Sequence, residues 1–158
     1  MLRAALANHA AFVLDDGEFR IGEPTFTVNT LQRIRREVGN ETPLVLIIGA
    51  DQFLALETWK DWLRLFELAH IGVAERPGHD IDAARLSAAL AAQLAARHAN
   101  HIGHQPAGSV VRFAMTALDI SSTLIRERIA AGRSPRYLLP EAVLDYIESR
   151  HLYQKAPT

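Results

Sequence analysis

Leu44-Val45-Leu46-Ile47-Ile48 is five aliphatic residues in a row with no polar alternation. A strand with one wet face would alternate, so this pattern predicts a central parallel strand buried on both faces. It runs directly into Gly49-Ala50-Asp51, a sharp exit at a strand end. Two further short apolar runs, Ile71 to Ala74 and Val110 to Phe113, read the same way. Between them, residues 52 to 69 and Ile81 to Arg97 carry helical spacing, the first stretch broken near Thr58, which can cap its second half. Strands alternating with helices of this length imply right-handed crossovers. The expected fold is α/β, a Rossmann-like, mostly parallel sheet with flanking helices.

The flanks are less regular. Met1 to Ala11 reads as a helix, Phe12-Val13-Leu14 as a short strand closed by the turn Asp15-Asp16-Gly17, and Phe19 to Ile21 as a second short strand. Pro24-Thr25-Phe26 is extended, and Thr27 is placed to cap a helix with Leu31, Ile34 and Val38 on one side and a stop at Gly39. Near the other end, Pro140 suits the first position of a last helix whose apolar stripe is Val143, Leu144 and Ile147.

A chain of 158 residues with 49% hydrophobic content predicts one compact domain. Lys+Arg 17 against Asp+Glu 18 leaves no global basic field, so nucleic acid is not the expected partner and any anion site must be local. Zero cysteines exclude disulfides, thiolate metal sites and cysteine nucleophiles, and fit a reducing cytosol. The apolar runs are too short to span a bilayer, and no signal-peptide pattern opens the chain, so the expected setting is cytoplasmic.

In such sheets ligands sit beyond the carboxyl ends of the strands. Three marked turns are expected there: Gly49-Ala50-Asp51, Glu75-Arg76-Pro77 and the helix start at Ser121. Ser121 is a good N-cap, so the first N–H groups of its helix and the positive end of the helix dipole point at one spot. Arg126 follows Ser122 by four residues and shares its face, where a planar guanidinium can grip the same anion. Position N3 is Leu124 and not a Glu or Gln, so no built-in carboxylate fills that spot. The run predicts a phosphate clamp, against the plainer alternative of a capped helix with a surface arginine. Gly49 permits close approach, and Asp51 is placed either to accept from a ribose or to cap the following helix.

Taken together, Pro24-Thr-Phe-Thr-Val-Asn-Thr30, Ile48-Gly-Ala-Asp51, Thr58-Trp59, Glu75-Arg-Pro-Gly78, Ile120-Ser-Ser-Thr-Leu-Ile-Arg126 and the ending Leu138-Leu-Pro140, Tyr146-Ile147, Leu152-Tyr153 resemble the bacterial nicotinate-mononucleotide adenylyltransferases. The resemblance covers essentially the whole chain and implies one nucleotidyltransferase domain over residues 1–158. It implies transfer of AMP from ATP to nicotinate mononucleotide, with Mg²⁺, in NAD biosynthesis. By resemblance, Ser121, Ser122, Thr123 and Arg126 hold the ATP phosphates, together with an ATP-side role for Gly49 and Asp51. Arg76 sits near the substrate phosphates, and the Thr27 N–H meets the nicotinate carboxylate. Trp59 stacks on the pyridine ring, against the plainer alternative of core packing with Leu63 and Phe66; Trp62 could equally be the core tryptophan, helical period does not separate the two, and only the match after Thr58 selects Trp59. The family usually has Tyr where this chain has Phe26.

The family also opens with a strand, a Gly-Gly-Thr-Phe-Asp-Pro loop and a His-x-Gly-His on its first helix, whose histidines stabilise the transferring phosphate. None of that precedes Leu2, and such a unit needs roughly 30 residues. The expectation is therefore an N-terminally truncated sequence, Met1 being an internal methionine, with no catalytic residue of its own, weak or no activity, and an upstream frame that encodes the motif. His101-Ile102-Gly103-His104 spells the motif but sits before Gln105-Pro106-Ala107-Gly108, which breaks any helix, so it is expected to be a coincidental loop. The same argument stands against a zinc site at His98, His101 and His104. The alternatives are a non-catalytic nucleotide- or partner-binding remnant, whose exposed sheet edge would call for a partner or self-association, and another adenylyltransferase such as the phosphopantetheine type.

Overall fold

The structure, a computed structural model, describes residues 1–20, 25–75, 81, 85–116, 118 and 120–154. In chain order the elements are α1 (Leu2–Leu6), α2 (Thr27–Val38), β1 (Val45–Gly49), α3 (Ala50–Leu54), α4 (Trp62–Leu68), β2 (His70–Glu75), α5 (Ala88–Arg97), β3 (Val110–Ala114), α6 (Ser122–Ala130) and α7 (Glu141–Ser149). Two compact units emerge, Gly17–Ala117 and a second made of Met1–Asp16 with Leu118–Thr158. Among the described residues no helix is long and apolar enough to cross a membrane.

The Gly17–Ala117 unit is α/β, a parallel three-stranded sheet in the order β1-β2-β3 with flanking helices. Val45 lies beside His70 and Ile71 beside Val110, so paired side chains share a face. Ile48, Ile71, Val73 and Val110 point to one face and join Val28 and Leu31 of α2, Phe53 of α3, Leu65 and Phe66 of α4 and Leu90 of α5 in one core. The opposite face is different. Ile47 is 65% exposed there, and Val45 and Phe113 are also exposed, so β1 is not buried on both faces as its composition predicts. Gly72 lies between them, where an added Cβ would touch Val45 and Phe113 at 3.4 Å. Composition reports a preference for burial; among the described residues of this unit, the helices pack on one side of the strand.

Several local boundaries move for identifiable reasons. Thr27 is the first helical residue of α2, not its cap: Phe26 is the extended N-cap, and its carbonyl accepts from Asn29 N–H at 2.9 Å. The nearby hydroxyls of Thr25 and Thr30 both donate to the Glu18 carboxylate. Thr58 ends a 3-10 turn, its hydroxyl bonded to Ala55 O at 2.7 Å, and α4 is instead preceded by Asp61. Helix α5 begins at Ala88, where Ser87 Oγ accepts from Leu90 N–H at 3.0 Å and sets the cap; residues 82–84 of the expected stretch lie outside the described residues.

In the second unit α1 packs against α7. The expected helix from Met1 to Ala11 shortens to α1, none of whose residues is buried; Ala/Leu content alone does not hold a longer one. Phe12-Val13-Leu14 forms no strand, and Val13 is 90% exposed: three residues without a ladder partner do not make one. Phe19, in the first unit, lies in a 3-10 turn, Gly17–Arg20, rather than a strand. Pro140 is the N-cap of α7, one place before the predicted first position, and Leu144 and Ile147 form its buried stripe.

Candidate functional site

At the carboxyl end of β1 the chain turns at Gly49 straight into α3. The Asp51 side chain folds back over this turn, its Oδ1 lying 2.6 Å from where a Cβ on residue 49 would be. Only glycine leaves room for that carboxylate. Gln52 Nε2 donates to the other oxygen, Oδ2, at 3.3 Å, and the carboxylate remains exposed. An open pocket of about 380 Å³ lies here, lined by Ile47, Gly49, Asp51, Ala74 and Met115 among others. Its walls are apolar and its rim carries one carboxylate, a suitable mix for a ligand with a flat apolar part and hydroxyl donors. Met115 has no sequence signature; it lines the pocket because its N–H continues the β2 ladder onto Glu75 O at 3.0 Å.

Glu75, the last residue of β2, is a hub. Its Oε1 accepts from Arg112 Nε at 2.9 Å, from Arg112 Nη2 at 2.7 Å and from Ile81 N–H at 3.1 Å. Burial works to raise its carboxyl pKa, but the Arg112 hydrogen bonds, the Ile81 N–H and the Arg112 charge together bring it below the ordinary 4.5. The turn signal after residue 75 marked this spot, but neither partner is predictable from a lone Glu at a strand end.

Trp59 follows the 3-10 turn and Trp62 opens α4; both are partly buried against the core, and Trp62 meets Phe66 edge-to-face at 6.1 Å. Phe26 is 40% exposed and carries the Lys60 ammonium 4.6 Å above its ring, so the start of α2 and the segment after Trp59 come together. Arg76 lies outside the described residues.

In the second unit, Ser121 is the N-cap of α6, its Oγ accepting from Leu124 N–H at 3.1 Å. Ser122 and Thr123 open the helix, and Arg126 reaches back from the next turn to donate to Thr123 Oγ1 at 3.2 Å. All four side chains are exposed. His101 and His104 lie in bends rather than on a helix, and His98 pairs with Val110 as an isolated bridge.

A family model described as Cytidylyltransferase-like matches residues 1–128. A protein of Dechloromonas aromatica (strain RCB) named "Probable nicotinate-nucleotide adenylyltransferase" is 45% identical over 159 residues, covering 99% of this chain and 73% of its own length. A like-named protein of Marinobacter nauticus is 41% identical over 157 residues, with 99% and 73% covered. The chain belongs to the nicotinate-nucleotide adenylyltransferase family. The solved structure of Plasmodium falciparum nicotinic acid mononucleotide adenylyltransferase complexed with APC matches with a TM-score of 0.64 at 17% identity, covering 97% of this chain and 72% of that one. A second structure of that protein, complexed with NaAD, matches equally, and both likenesses show the adenylyltransferase fold.

Proposed function

We propose that residues 1–158 form a single nucleotidyltransferase domain. Its reaction is transfer of AMP from ATP to nicotinate mononucleotide, giving nicotinate adenine dinucleotide and pyrophosphate, in the cytoplasm. The observation that carries this is the relation to adenylyltransferases at 41–45% identity over 99% of this chain and 73% of theirs, in a chain with an open pocket at the carboxyl ends of parallel strands.

In this reaction a phosphate oxygen of the mononucleotide attacks the α-phosphorus of ATP; that P–O bond forms as the bond to the β-phosphate breaks, and pyrophosphate leaves. Such a transfer needs alignment and charge neutralisation more than a covalent nucleophile. Mg²⁺ enters with ATP as part of the substrate, held mainly through phosphate oxygens, as suits an ion that keeps its waters. The roles proposed for this chain follow its chemistry. The N–H groups opening α6, the Ser122 and Thr123 hydroxyls and the Arg126 fork hold the triphosphate. Asp51 accepts from a ribose hydroxyl beside Gly49. The N–H at the start of α2, at Thr27, meets the nicotinate carboxylate, Trp59 supplies a ring face to the pyridine, and Arg76 lies by the substrate phosphates.

Calorimetry of the 158-residue chain with MgATP and with nicotinate mononucleotide tests this. Both should bind, nicotinamide mononucleotide should compete poorly, and Arg126→Ala should weaken MgATP by about tenfold through loss of charge-assisted bonds. Absence of binding to either nucleotide sinks the proposal, and binding without turnover identifies a binding-only protein.

A further inference from the structure

One carboxylate oxygen ties three places together at the carboxyl ends of β2 and β3. Glu75 Oε1 takes two bonds from the Arg112 guanidinium of β3 and one from the N–H of Ile81, six residues further along the chain. The Ile81 side chain is itself in the core, 8% exposed, so the far end of this stretch is held by both backbone and side chain. Glu75 is only 13% exposed and Arg112 36%, so the bonds are partly shielded from water. Alternation puts Glu75 and Arg112 on the face opposite Ala74, which lines the pocket. Glu75 therefore braces the pocket wall from behind. Its own backbone carbonyl receives Met115 N–H, so the residue that anchors the brace also carries the other apolar wall of the pocket.

We propose that Glu75 is a positioning residue: through Arg112 and the Ile81 N–H it fixes the ends of β2 and β3, and with them Ala74 and Met115, in the geometry that receives the nucleotide. This rests on the pocket being a nucleotide site. It adds a residue that touches no ligand yet sets affinity, since a pocket wall left about 1 Å loose costs binding and alignment.

Two measurements on the 158-residue chain test it, amide hydrogen exchange at Ile81 and calorimetric MgATP affinity, each alongside the melting temperature. Glu75→Ala should abolish the Ile81 protection and weaken MgATP by about tenfold in the folded protein. Glu75→Gln keeps an acceptor oxygen, so it should fold, retain part of the protection and weaken MgATP by about threefold, as expected from losing charge assistance alone. Arg112→Met should resemble Glu75→Ala, and the two combined should cost no more than either. A merely structural role would lower the melting temperature and leave the affinity of the folded protein unchanged, which overturns the proposal. So does affinity that falls equally in Glu75→Gln and Glu75→Ala while Ile81 stays protected. Failure of the wild-type chain to bind MgATP rejects the nucleotide pocket itself, a result visible before any variant is made.

Discussion

The two ends of the same three strands are built on opposite terms. At the amino end the two buried polar side chains, His70 and Arg35, spend their polar atoms on the chain itself. His70 is fully buried; its Nδ1 accepts from Ser109 N–H at 3.1 Å, which leaves the proton on Nε2 to donate to Gln105 O at 2.7 Å. Arg35, 7% exposed, donates to the carbonyls of Gly39, Thr42, Leu68 and Pro106, and Pro106 O also receives Leu44 N–H at 3.1 Å. These bonds weld the loop before β3 to α2, α4 and β1. At the carboxyl end, by contrast, Asp51 is exposed with Gln52 beside it, over a glycine and an open pocket. Polar groups saturated within the chain supply rigidity, and polar groups left partly open are available to a ligand. The Glu75–Arg112 brace apart, the same sheet thus keeps its internally spent polar groups at one end and an open carboxylate at the other.

The largest break in that contrast is Arg35→Leu. It removes a buried guanidinium that donates to four carbonyls, of which Pro106 O alone is shown with another donor, the Leu44 N–H, and should cost about 3 kcal/mol of stability in urea unfolding. MgATP affinity of the folded protein should not change. A loss well under about 1 kcal/mol, or a shifted affinity, would mean that the amino end is not the independent clamp described.

Gly49→Ala sharpens the comparison from the other side. The Gly49 backbone, at φ −73° and ψ 161°, suits alanine, so stability should change little. The new Cβ would displace the Asp51 carboxylate, and MgATP binding should weaken by about tenfold if that carboxylate serves the ligand. Calorimetry with unchanged affinity removes Asp51 from the site.

These two residues also mark how far the sequence could be read. The Gly49-Ala50-Asp51 exit was legible because strand, turn and helix follow one another locally, and each leaves its own mark in composition. The parallel order was legible from the alternation of elements. Arg35 was not. It stands among Arg33 and Arg36, and the predicted apolar side of α2 ran through Leu31, Ile34 and Val38; Leu31 is buried as expected, but the buried row is completed by Val28 and Arg35 while Val38 is 41% exposed. What admits a guanidinium to that row is a set of carbonyls from residues up to 71 positions away, and helical period carries no information about them. Glu75 and Arg112 are invisible for the same reason, 37 residues apart on neighbouring strands. The Ser121 cap needed only its own helix and is found as predicted.

The smallest effect tests whether the carboxyl-end brace is electrostatic. With its folded-state pKa held below 4.5, Glu75 favours the folded protein above its unfolded value and loses that contribution as pH falls through the lower folded value. The stability gap between wild type and Glu75→Gln should therefore be level between about pH 5 and 7, below about 1 kcal/mol because Arg112 is partly exposed, and should close on acidification below about pH 4. Arg35 is held by backbone carbonyls and by no carboxylate, so the contribution of that joint should remain level over the same interval. Urea midpoints at both ends of the interval decide it: a gap that widens in acid would mean that the protonated carboxyl is the better partner for Ile81 N–H and Arg112, and that the Glu75 charge plays no part in holding the strand ends.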